Sequence, residues 1–64
     1  MTYYVIKLDE GIYWAGRGPY GENNCATTSG GAQRYLKRAD AKRFIHQNGW
    51  QGAQIERIEV PDGR

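Results

Sequence analysis

The chain has 64 residues, a net charge of +2 and a single cysteine, which leaves room for one domain and no second. Cys25 alone rules out an intrachain disulfide, and Cys25 with His46 cannot supply the four ligands of a closed zinc site. No apolar run reaches even ten residues, so no segment is a candidate for crossing a membrane.

A chain this short buries only roughly 60% of the surface that its unfolded form exposes. With neither disulfide nor metal, the core falls to large rings: Tyr3, Tyr4, Tyr13, Trp14, Tyr20, Tyr35, Phe44 and Trp50. Each can bury on the order of 150–250 Å2. The lone thiol, and a Met1–Tyr4 opening that is neither basic nor followed by a leader-like stretch, set the expectation of a cytoplasmic protein.

In chain order, Thr2 to Leu8 alternates as a strand, with Tyr4, Ile6 and Leu8 on one face and Tyr3, Val5 and Lys7 on the other. Asp9-Glu10-Gly11 supplies turn chemistry before a second run, Ile12 to Ala15, so a hairpin with a three-residue connection is expected. From 16 to 31, glycine, asparagine, serine and threonine leave no periodic apolar face. That stretch reads as loop, with room for a short edge strand around Cys25 to Thr28. Ala32 to Leu36 has the composition for another short strand.

The spacing of Ala41, Phe44 and Ile45 predicts a helix from about Arg38 to Asn48. Gly49 then suits a left-handed cap, with Trp50 folding back onto Ile45. Ala53 to Val60 reads as a closing strand, although Ile55 is out of phase with Ile58 and Val60. Either a bulge near Glu56-Arg57 or a change of buried face is expected there. Pro61 ends the strand and opens a polar tail, 61–64. The expected fold is a single α+β domain over 1–64. Its antiparallel sheet has three or four strands, in the order β-β-(β)-α-β, with one helix on one face.

No residue set carries catalytic chemistry. Gly16-Arg17-Gly18-Pro19-Tyr20-Gly21 matches the glycine pattern of dinucleotide sites, but Pro19 and a polar loop follow where a helix must open. Cys25 and His46 lack a third, orienting group, and the carboxylates lack the apolar surroundings that raise a pKa for acid catalysis. The expectation is a protein that is not an enzyme and uses no cofactor or metal.

Charge and aromatic surplus point instead to binding. Between Ala32 and His46, five cations (Arg34, Lys37, Arg38, Lys42, Arg43) face one carboxylate, Asp40, a local charge of +4 in a chain of +2. One helix covers one sheet face, so Tyr4, Ile6, Leu8, Ile12 and Trp14 are expected beneath it. Tyr3, Val5, Tyr13 and Tyr20 are then expected to face outward, unless the glycine-rich loop folds over them. The expected partner-binding set is Tyr3, Tyr13, Arg17, Tyr20, Arg34, Lys37, Arg38, Lys42 and Arg43. Such a set suits a protein interface or a nucleic acid, with tyrosines stacking on bases and cations on phosphates. Self-association into a homodimer is a third use of the same surface.

Tyr35-Leu36, Ala41 with Phe44-Ile45, Gly49-Trp50, and Ala53 with Ile55, taken with the opening hairpin, resemble small β-β-α-β proteins of bacteriophages and prophages. Several of these, anti-CRISPR proteins among them, inhibit host systems by occupying a nuclease complex. The resemblance implies a non-enzymatic inhibitor that docks on a host protein complex. Because DNA mimics of that kind are strongly acidic and this chain is not, it favours docking over mimicry. A lesser likeness, to the second half of SPOR-type peptidoglycan-binding domains, rests on the Ala-x-x-Phe helix, the glycine and the strand that follow.

Overall fold

The computed structural model describes residues 1–61; of the expected tail, all beyond Pro61 lies outside the described residues. Its elements are β1 (Thr2–Asp9), β2 (Ile12–Arg17), β3 (Asn23–Ala26), a 3-10 turn (Ser29–Gly31), α1 (Arg38–Asn48) and β4 (Gln54–Glu59). The four strands form one antiparallel sheet in the order β3-β2-β1-β4, with the helix on one face, so the α+β architecture is the expected one.

The hairpin is tighter than expected. Asp9 pairs with Ile12, which leaves Glu10-Gly11 as a two-residue connection, and a register shift at Leu8 absorbs the difference. Gly11, at φ 68°, takes the left-handed backbone that a side chain disfavours. Lys7 Nζ, 2.8 Å from Glu10 Oε1, ties the strand to the turn. That bond raises the Lys7 pKa above its ordinary value.

Beyond Lys7 and Tyr13, β1 and β2 part, and the chain fills the gap itself. Tyr4 and Tyr35 exchange backbone hydrogen bonds of 2.7 and 2.8 Å, and the Gln33 N–H donates to the Trp14 carbonyl at 2.9 Å. The expected strand over Ala32 to Leu36 is therefore a short bridge wedged between β1 and β2. A second register shift, next to Gly16 at φ 107°, bends β2 toward β3. The edge strand foreseen near Cys25 begins two residues earlier, at Asn23.

Helix α1 has the expected bounds. Its end is a Schellman motif: Gly49 sits at φ 65°, its N–H bonded to the His46 carbonyl at 3.2 Å, while the Trp50 N–H reaches the Ile45 carbonyl at 3.2 Å. Trp50 then packs in the same cluster as Ile45 and Phe44. At the other end Lys37 gives no side-chain cap, and Asp40 in the first turn complements the helix dipole.

The core is two-sided. Between α1 and the sheet lie Ile6, Trp14 and the helix's own Ala41, with Leu8, Tyr35, Phe44, Ile45, Trp50, Ala53 and Ile55 packed around them. On the opposite face Tyr3, Val5 and Ala32 are buried, with Tyr13 and Ile58 against them. The expectation that this face stands open is corrected. Tyr3 is 4% exposed and Val5 0%, because Ala32, leaving the glycine-rich loop, closes over them. Ile12, expected beneath the helix, is 40% exposed at the hairpin end. The phase problem in β4 also resolves. The strand pairs with β1 in unbroken register from Gln54 to Glu59, without a bulge. Ile55 enters the helix-side core and Ile58 the opposite one.

Candidate functional site

The nine residues expected to bind a partner do not form one surface. Tyr3 is buried, and the Arg34 guanidinium lies 4.7 Å from its ring centre. That cation–π contact uses Arg34 as a lid on the loop-side core, worth about 0.5–1 kcal/mol at an exposed site. Tyr13 is half-buried against the same core, its hydroxyl 3.4 Å from Glu56 Oε2. Neither Tyr3 nor Tyr13 offers a free ring for stacking. Tyr20 is 94% exposed, but it stands alone on a turn closed by Gly21 N–H to Gly18 O at 3.0 Å and Tyr20 N–H to Glu22 Oε1 at 3.0 Å. Arg17 is exposed at the far end of β2, next to that turn.

The helix cations separate by flank. Lys37 precedes the first turn, and Arg43 lies 4.0 Å from Asp40 Oδ1, one turn away on the exposed side of the helix. Arg38 and Lys42, four residues apart, share one flank and form no ion pair among the described residues. They rim a groove of about 480 Å3 between α1 and the start of β4, whose other walls are Ile45, Ala53, Gln54 and Ile55. Lys42 and Ile45 continue into an adjoining hollow of about 390 Å3, lined also by His46, Gly49, Trp50 and Gln51. The two open hollows share Lys42 and Ile45 and together make a shallow channel, with cations on the helix rim and Ile45, Ile55 and Trp50 among its lining.

Of the expected set, then, the structure brings together Arg38 and Lys42 and places Arg34 on the opposite face. Sequence reasoning missed Ile45, His46, Trp50, Gln54 and Ile55 as parts of the site. Their signal was present, because positions 38, 42, 45 and 49 follow one helical line, and the out-of-phase Ile55 marks where β4 turns an apolar side chain to the helix.

Nothing in this channel has the form of a reacting centre. Cys25 is exposed on β3, at the edge of the sheet remote from β4, and His46 lies on α1 beside the groove. Among the described residues no cluster of three His, Cys, Asp or Glu side chains is placed to hold a metal ion. Trp14 Nε1 is buried without a hydrogen-bond partner in the ring cluster, where Phe44 is 4.4 Å away centre to centre. Burial raises the Tyr35 pKa in the same cluster.

Comparison with family models, with curated proteins and with solved structures gives no match. Fold and site together define a small α+β domain with a one-sided basic channel between its helix and an edge strand. A functional reading has to start from that channel.

Proposed function

We propose that the chain is a non-catalytic docking protein whose channel between α1 and β4 receives an acidic surface of another protein. The observation that supports it is the pairing of two cations, Arg38 and Lys42, which form no ion pair among the described residues, with the apolar side chains of Ile45, Ile55 and Trp50. Interfaces of modest size combine such elements: a desolvated aromatic or aliphatic patch supplies affinity, and rim charges supply steering and orientation. An inhibitor of a host nuclease complex, the kind of protein that the small phage proteins exemplify, is one way to use such a surface.

The rival, a nucleic-acid-binding module, needs rings to stack on bases. Tyr3 and Tyr13 are spent on the loop-side core, which favours the protein partner. The deciding experiment is capture of partners from bacterial lysate, with and without nuclease treatment and at stepped salt. Capture of a protein that survives nuclease supports docking. Capture abolished by nuclease, with a steep loss of binding as salt rises, overturns it in favour of nucleic acid.

A further inference from the structure

The channel is bounded on one side by a strand edge whose outward hydrogen-bonding groups have no partner among the described residues. Met1 and Val60 exchange bonds of 2.8 and 2.9 Å across β1 and the end of β4. In an antiparallel ladder such pairs alternate with non-bonded ones. From the register, Tyr3/Ile58, Val5/Glu56 and Lys7/Gln54 are bonded pairs, whereas Thr2/Glu59, Tyr4/Arg57 and Ile6/Ile55 are not. Tyr4 confirms the phase, because its N–H and C=O turn the other way, to Tyr35. The N–H and C=O of Ile55, Arg57 and Glu59 therefore point outward from β4, which has no neighbour on that side among the described residues.

These three residues also direct their side chains to the helix face, as Ile55 shows by packing in the helix-side core. A strand laid along this edge would thus place alternate side chains in the channel beside Arg38 and Lys42. We infer that the channel takes an extended acidic peptide segment, which adds to β4 as a fifth strand and directs alternate carboxylates to Arg38 and Lys42. Main-chain bonds to the edge would give affinity, and the channel would read the side chains. The inference rests on the docking function proposed above and specifies how the partner is held.

A second copy of the chain competes for the edge, and a register centred on Ile55 avoids both like charges and Pro61, whereas an acidic peptide also meets the cations Arg38 and Lys42. Two-fold pairing of β4 centred on Glu56 or on Arg57 opposes like charges. Centred on Ile58 it sets Ile55 against Pro61 of the second copy, which has no N–H to donate. A nucleic acid has no backbone amides to join a ladder.

The test uses the whole chain, 15N-labelled, and two probes: a short peptide alternating glutamate and valine, and the same peptide with every amide N-methylated. The second keeps every charge but cannot pair. The plain peptide is expected to bind about tenfold more tightly and to slow exchange of the Ile55, Arg57 and Glu59 amides by a similar factor. Arg57→Pro removes an outward donor while leaving the bonds to β1, and should lose that preference; Arg57→Ala should keep it. Equal affinity for the two peptides, with unchanged amides, overturns strand addition while leaving docking on the basic flank intact. Failure of both peptides to bind overturns the peptide-strand inference, while the docking function stands or falls on capture of a protein partner. Protection of those amides by concentration-dependent dimerisation, without peptide, overturns the inference in favour of a second copy.

Discussion

The two faces of the sheet are closed by different means. On the helix face, Trp14 sits amid Phe44 at 4.4 Å, Trp50 at 6.0 Å and Tyr35 at 6.2 Å, so one ring from β2 meets rings from three other parts of the chain. On the loop face, Tyr3 and Val5 are covered by Ala32 and by the guanidinium of Arg34. The first closure is a packed ring cluster anchored by regular structure. The second is thin and depends on a segment held by a few backbone bonds to β1 and β2. A domain of this size gains from both, since covering only one face would leave Val5, now 0% exposed, in water at a loss of about 1.5–3 kcal/mol.

That contrast is open to attack, starting with the ring at its centre. Trp14→Ala should cost about 3–5 kcal/mol, comparable to the roughly 3–10 kcal/mol expected for a domain of this size. Loss of the cooperative urea transition and of near-UV dichroism is the expected result. Retention of a sharp transition would mean that the ring cluster is not the main closure. Gly49→Ala tests the helix end that carries Trp50 into that cluster. No atom lies within 4 Å of the added methyl, so the cost is backbone strain alone, about 1–2 kcal/mol in urea denaturation. Arg34→Ala probes the thinner face. Removing the cation above Tyr3 should cost only about 0.5–1 kcal/mol, with faster amide exchange at Gln33 and Tyr35 and no change on α1.

The smallest effect expected is alkaline. Burial holds the Tyr35 pKa above its ordinary value of 10.0, so the folded state keeps this proton more firmly than the unfolded one. Its contribution is complete below pH 10.0 and fades as the pH rises through the folded value. Thermal midpoints measured across that range should fall more steeply for the wild type than for Tyr35→Phe.

The helix was legible because Ala41, Phe44 and Ile45 mark its inner face and Gly49-Trp50 its end, all of them local signals. The hairpin was legible for the same reason. The cover on Tyr3 was not, because Ala32 reaches it only through the wedge between β1 and β2, and no local pattern encodes a splayed hairpin. The candidate site suffered from that error. Tyr3 and Tyr13 were assigned outward when they pack in the loop-side core, whereas Tyr20 and Arg34 are exposed as expected; Arg38 and Lys42 were found but their apolar companions across the channel were not. The two-phase apolar pattern of β4 held the missing clue. A strand that feeds two cores shows two phases.

Charge reversal on each face tests most directly which face meets the partner. Arg38→Glu with Lys42→Glu, both on the channel rim, should abolish capture of the protein partner, while Arg34→Glu, on the loop face, should leave capture within about threefold of the wild type. Capture that survives reversal at Arg38 and Lys42 but fails with Arg34→Glu, in protein shown to be folded, would contradict the channel as the docking surface.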